Sequence, residues 1–372
     1  MLRSVQGSVL LIILLLPIFA MGQFAPREEG VFGIESGNPL PVDILPPVDK
    51  LFESDQILKV RIETNLQKLY QFKYDPEYQK ATFTIEVADT MFVVKKIKVK
   101  VRGKTRVTIC DDPPLKINFK KTDFEWEWFD KLKSLKIVTP CDDPKLYSKY
   151  LMKEYFAYLS FNIFSDVSYQ VRYIELTISD KQQQIKEEVK YAFLVENDRK
   201  LAKRTGTKEV ELDDTTAGAM AYDLYVNPTD QTLFNLNVMS LFQYMIGNTD
   251  YAASLFHNMK IFKNGDTIFP VPYDFDYSGL VDANYAIPSK SAPIGNVKER
   301  YYLGPCSDQV SFEKAVNYVL SKKPELMQRL NEDSYISTKV KDEIREYIES
   351  FYSLISDPVH LESMRVTHCS NL

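Results

Sequence analysis

Gln243-Tyr-Met-Ile-Gly-Asn-Thr-Asp250, continued by His257-Asn258 and by Pro272-Tyr-Asp274-Phe-Asp276-Tyr-Ser-Gly279, concentrates the polar chemistry of this chain. Just upstream, residues 231–246 carry Leu233, Phe234, Leu236, Val238, Met239, Leu241, Phe242, Met245 and Ile246, apolar on more than one face, which is the pattern of a buried helix. Gly247 supplies its C-cap, where a residue without Cβ enters the left-handed region at no steric cost. Asp250 therefore hangs just off a fixed post. Downstream, residues 258–263 and 266–271 read as two strands joined by Asn264-Gly265, the strongest two-residue hairpin signal. With Lys263 paired to Asp266, Asn258 lies opposite Val271, and Asp274 and Asp276 sit just past the same open end. One carboxylate, one amide and two further carboxylates thus converge. Close like charges repel and buried ones demand partners, so a divalent cation is the natural occupant.

The order of buried helix, Gly-Asn-Thr-Asp, His-Asn, hairpin and Asp-Phe-Asp resembles the catalytic segment of protein-kinase-like enzymes, and in detail the CotH (spore coat protein H) kinase family. In protein kinases one Asp accepts the substrate hydroxyl proton, while an Asn and a second Asp hold magnesium on the phosphates. The resemblance implies Asp250 as the catalytic Asp, Asn258 as a metal ligand, and Asp274 or Asp276 as the metal Asp, with Asp274 favoured. There are departures from the pattern. No His-Arg-Asp triplet occurs, and Asn258 follows Asp250 by eight residues, where the kinase catalytic loop places its Asn five after the Asp. No glycine-rich phosphate loop is present either.

Working outward, Leu58–Ile62 and Ala81–Val87 alternate as strands. Residues 96–102 set Ile97, Val99 and Val101 against Lys96, Lys98, Lys100 and Arg102, which reads as a solvated strand edge guarded by lysines. Arg102-Gly103 and the strand Leu115-Lys-Ile-Asn-Phe119 also resemble the CotH pattern, in which an Arg-Gly precedes a basic strand. On that resemblance Lys116 is the residue that holds the nucleotide phosphates, with Lys136 as its rival. Residues 144–164 form a long aromatic helix begun by Pro at its first position. Glu154 falls on its buried stripe beside Leu151, Tyr155 and Tyr158, so it needs a partner, and the resemblance implies an ion pair with Lys116. Two strands over 169–176 and 191–195 follow, then the basic run Arg199–Arg204, read as a solvated helix face, and helical spacing over 309–357.

The fold this implies is α+β: bilobed and protein-kinase-like, with a β-rich small lobe over 51–197 and a mostly helical catalytic lobe over 198–372. A chain of 372 residues that is 45% hydrophobic can bury a core of that size. Its 46 basic and 51 acidic residues are nearly balanced, which gives no electrostatic reason for a nucleic-acid partner. Residues 1–22 have the order of a signal peptide, a basic start, an apolar run from Val9 to Phe19 and Ala20-Met-Gly22, so export with cleavage near Gln23 and no membrane span thereafter is expected. Residues 23–50, with five prolines and no periodicity, read as an extended linker. The four cysteines lack Cys-x-x-Cys spacing, which argues against zinc; in an oxidising compartment they can form two disulfides, Cys110 with Cys141 first.

The implied reaction is transfer of the ATP γ-phosphate, with Mg2+, to Ser or Thr of an exported or surface protein. Two other readings stay open. A pseudokinase or surface-assembly binding protein would keep the site without turnover. A metal-dependent glycosyltransferase would use Asp-x-Asp for a nucleotide sugar, which leaves Asp250 and Asn258 unexplained.

Overall fold

The computed structural model describes residues 31–32, 51–52, 56–87, 90–103, 105–119, 133–141, 144–252, 256–366 and 369. The expected signal peptide and its cleavage site, and nearly all of the proline-rich linker, lie outside them. The strands are β1 (Val31–Phe32), β2 (Leu58–Thr64), β3 (Gln79–Val87), β4 (Thr90–Val101), β5 (Leu115–Asn118), β6 (Ser134–Val138), β7 (Val171–Asp180), β8 (Glu188–Val195), β9 (Lys208–Glu209), β10 (Met259–Asn264) and β11 (Thr267–Pro272). The helices are α1 (Leu66–Gln71), α2 (Thr105–Ile109), α3 (Pro144–Phe164), α4 (Asp198–Thr205), α5 (Asp214–Tyr225), α6 (Asp230–Ile246), α7 (Gln309–Ser321), α8 (Lys323–Glu332), α9 (Thr338–Ile355) and α10 (Pro358–Val366).

Strands β2 to β8 close on themselves. The order runs β4-β3-β2-β7-β8-β6-β5, and β5 pairs back onto β4 through Lys98↔Asn118, Val99↔Ile117, Lys100↔Lys116 and Val101↔Leu115. The result is a seven-stranded barrel. Alternation builds its interior: Ile62, Phe83, Ile97, Val99, Ile117, Ile137, Ile174 and Ala192 are fully buried inside one cluster, while their neighbours in sequence point outward. A register shift between Ala81 and Phe83, opposite Lys96 with φ 61, marks a bulge of the kind that bends a strand into a curved sheet.

This closure corrects the expected architecture. The chain does not adopt a bilobed, protein-kinase-like fold with a β-rich small lobe and a mostly helical large lobe; its strands close into a barrel. Alternating patterns state which face of each strand is buried, and they read the same in an open sheet and in a barrel. What closes the ring is pairing between strands far apart in sequence, the parallel β2–β7 ladder and the antiparallel β6–β8 ladder. The lysine face of β4 is likewise no edge, since β4 is hydrogen-bonded to β3 and to β5.

The second core is organised around α6, whose residues from Leu236 to Ile246 are all buried. It packs against α3, α7, α9 and β11. Thr229 caps its start, accepting from the Thr232 amide, and Gly247 ends it at φ 64. Two disulfides staple the chain, Cys110–Cys141 and Cys306–Cys369. Closing loops with separations of 31 and 63 residues is worth about 3.5 and 4 kcal/mol in the chain-entropy account. No helix among the described residues is long and apolar enough to cross a membrane.

Candidate functional site

Beyond Gly247 the chain is held by its own polar side chains. The Asn248 side chain donates to Gln243 Oε1 at 3.0 Å, and its own Oδ1 accepts from the Asp250 amide at 2.9 Å. The amides of Gly279 and Leu280 then return to the end of α6, donating to the carbonyls of Gly247 (3.0 Å) and Ile246 (2.9 Å) that the helix leaves unpaired. That return brings the Asp274-Phe-Asp276 segment up to Asp250. The hairpin differs in detail from its sequence reading. The loop is Gly265-Asp266, with Gly265 at φ 58 in the first turn position that a II′ turn reserves for glycine, and Asn264 pairs with Thr267. Met259 faces Pro272, so Asn258 lies opposite Tyr273 rather than Val271 and accepts its amide at 3.0 Å. A slip of two residues keeps every side chain on its face, and the convergence at the open end survives it.

A cavity of about 520 Å³ collects Asp250, His257, Asn258, Asp274 and Asp276, together with Arg102, Gly103, Thr105, Arg106, Tyr273 and Tyr277. Phe275, fully buried between Tyr158 and Phe242, anchors the segment between its two aspartates. Asp274, at φ 66, donates its amide to the Tyr158 hydroxyl at 3.0 Å. Phe256 and Asn258 also have positive φ, at 52 and 51, so three non-glycine residues in the left-handed region cluster on one cavity wall. Such conformations cost of order 1 kcal/mol each and persist where the surroundings over-determine them.

Asn258 grips Asp250. Its Nδ2 donates to the Asp250 carbonyl at 2.8 Å and to Oδ2 at 2.9 Å, while His257 Nε2 lies 3.3 Å from Oδ1. Burial pushes the Asp250 carboxyl above its usual range, against the pull of His257. Carboxylate oxygens of Glu154, Asp274 and Asp276 come within 4.8 Å of one another. The Glu154 carboxylate does not pair with Lys116, the partner that the resemblance implied; it is taken by Arg106 on α2, whose Nε also donates to Asp276 Oδ2 at 2.8 Å. Tyr285 donates to the same Asp276 oxygen at 3.1 Å. Shared between two buried carboxylates, Arg106 is held firmly charged despite its own burial. One guanidinium does not neutralise three carboxylates. Burial raises Asp274, and Asp276 beside it adds to this, while burial pushes Glu154 up to about 7.

Neither expected phosphate-holding lysine lines the cavity. Lys116 and Lys136 are opposite each other across β5 and β6, facing outward from the barrel. Lys136 is engaged with Asp198 at 3.6 Å and lies over the rings of Tyr169 and Tyr273, and burial lowers its pKa. The residues that sequence reasoning missed are Arg106 and Arg102. A buried glutamate announces that it needs a cation; which of many cations reaches it depends on how the barrel and the Cys110–Cys141 disulfide place α2.

The oxygens left over suit a hard divalent cation. Among the described residues Arg106 commits one oxygen each of Glu154 and Asp276, and Asp274, Asp276 and Asn258 line the cavity with oxygens that these contacts do not use. Compared with known proteins, the chain matches no family model and no curated sequence.

Proposed function

We propose that this cavity is the active site of a divalent-cation-dependent phosphotransferase, moving the terminal phosphoryl group of ATP to a Ser or Thr hydroxyl of an exported or surface protein. The reading takes the chemistry, not the fold, of the CotH resemblance. One observation carries it: a carboxylate oriented by Asn258 and His257, that of Asp250, shares a cavity with the Asp274–Asp276 pair. Asp250 accepts the hydroxyl proton, a role that its raised proton affinity favours. Asp274, Asp276 and Asn258 hold the cation, Mg2+ for a phosphate ligand, which when bound neutralises phosphate charge. Asn258 ties the two halves together, since its amide nitrogen orients Asp250 and its oxygen remains for the cation. Export is supported by the two disulfides, which form and persist in oxidising compartments; the finer proposal is cleavage near Gln23.

A second reading, a binding protein without turnover, is favoured by Arg106, which already supplies positive charge to the carboxylate cluster. Titration calorimetry with Mg-ATP, beside a UDP-sugar, and transfer from labelled ATP separate the readings. Asp250→Asn is expected to keep Mg-ATP binding while transfer falls about 10²–10⁴-fold; Asp274→Asn is expected to lose both together. Binding without transfer in the wild type selects the second reading, and no nucleotide binding rejects the first.

A further inference from the structure

Among the described residues that line the cavity, three carry or can carry positive charge: Arg102, Arg106 and His257. Arg106 is committed to Glu154 and Asp276, and His257 to Asp250. Nearby, Lys136 is committed to Asp198 and Lys260 to Glu209 at 2.9 Å. Arg102 stands in no ion pair and no side-chain hydrogen bond with the described residues, although its charge pulls on the Asp274 carboxyl. Its backbone, by contrast, is fixed. It follows the last residue of β4, with Val101 buried in the barrel, and its amide donates to the Pro114 carbonyl at 2.8 Å. Gly103, at φ 97, then turns the chain toward Thr105 and Arg106 in a conformation that a side chain would strain. A rigid strand end thus presents a guanidinium without an ion-pair partner among the described residues to the cavity that Asp250, Asp274 and Asp276 also line, close enough for its charge to act on the Asp274 carboxyl.

The arrangement fits a ligand that is itself anionic and brings a cation with it. The carboxylates take the cation, and a planar fork in the same cavity takes phosphate oxygens two at a time. Resting on the phosphotransferase reading, we propose that Arg102, and not Lys116 or Lys136, is the residue that binds the phosphate chain of the cation-bound donor. The cross-strand partners Lys100, Lys116 and Lys136 stand on the outer face of the barrel, and Lys116 is absent from the cavity wall. The position expected of a strand lysine is therefore filled by an arginine one strand away, at the point where β4 meets the cavity.

The experiment is titration calorimetry of the full chain with Mg2+ and, in separate arms, ATP, inorganic tripolyphosphate and adenosine. The wild type, Arg102→Gln, Arg102→Lys and Lys116→Gln are compared. Loss of a charge-assisted fork is expected to weaken ATP and tripolyphosphate alike by about ten- to hundredfold in Arg102→Gln. Arg102→Lys should recover part of this, and Lys116→Gln should stay within about twofold of wild type. The equal loss in the ATP and tripolyphosphate arms marks a phosphate contact; a loss confined to ATP and adenosine would overturn the assignment. So would unchanged binding in Arg102→Gln, or a tenfold loss in Lys116→Gln alone, and either would leave the phosphotransferase reading standing. A wild type that binds neither ATP nor tripolyphosphate removes both. Should Arg102→Gln fail to fold by circular dichroism, Arg102→Lys decides, since wild-type affinity in that variant contradicts fork recognition.

Discussion

Replacing Arg106 with methionine should be among the most damaging single changes in the molecule. The substitution keeps much of the side-chain volume and removes the guanidinium on which Glu154 and Asp276 both depend. These carboxylates are 2% and 4% exposed, so water does not take over. Removing one partner of a buried ion pair costs about 3–5 kcal/mol, a large share of the roughly 5–15 kcal/mol that holds a folded chain. The cost is pH-dependent, and its sign follows from burial. Glu154 has a folded-state pKa of about 7 against an ordinary value of 4.5, and losing Arg106, which pulls it down, raises it further. A carboxyl raised in the folded state contributes stability that is full below the unfolded value and is lost as pH climbs through the folded one. The variant should therefore be furthest below wild type near pH 8, and near pH 5, where Glu154 is protonated in both proteins, the deficit should shrink to roughly half. Denaturant unfolding followed by circular dichroism at the two pH values measures it. A deficit under about 1 kcal/mol at pH 8, or the same deficit at both pH values, would refute the shared-cation account.

A cation held by Asp274 and Asp276 would lie beside Glu154, whose carboxylate oxygen is within 4.8 Å of theirs, and should displace its proton, so Mg2+ or Mn2+ affinity should rise up to about pH 7 and level off above it. Calorimetry in buffers of different ionisation heat reads the released proton; a pH-independent affinity with no release would mean that no cation sits beside Glu154. Gly247→Ala should destabilise by about 1–3 kcal/mol, because the residue sits at φ 64 and an added Cβ would run into the Tyr347 hydroxyl. The thermal midpoint checks it, and an unchanged midpoint would mean that the α6 cap is not the post on which Asp250 depends.

Much of the local structure was legible in the chain because it is decided by near neighbours. The all-round apolar pattern of 231–246 and Gly247 specify a buried helix with a left-handed cap, and that is what forms. Asp-Phe-Asp carries its own geometry, since burying the middle ring presents both flanking carboxylates at one edge. The Cys110–Cys141 bond was legible as one of a few pairings open to an exported chain. Even the misread hairpin loop did little harm, because a period of two makes a two-residue slip invisible to the side chains.

What only the tertiary structure decided are the contacts between segments distant in sequence. Alternation told which faces of β2 to β8 are buried, but not that β2 would pair with β7 and β6 with β8 to close a barrel in place of the β-rich lobe of a bilobed fold. Glu154 declared a need for a cation, yet it is met by Arg106, 48 residues away, because α2 hangs between a barrel strand and a disulfide. Arg102 reads as one more lysine-like residue on a solvated face until β4 ends and the chain turns at Gly103 into the cavity. Charge and polarity are properties of a residue, whereas a partner belongs to the place where the fold leaves it, and local pattern does not contain that place.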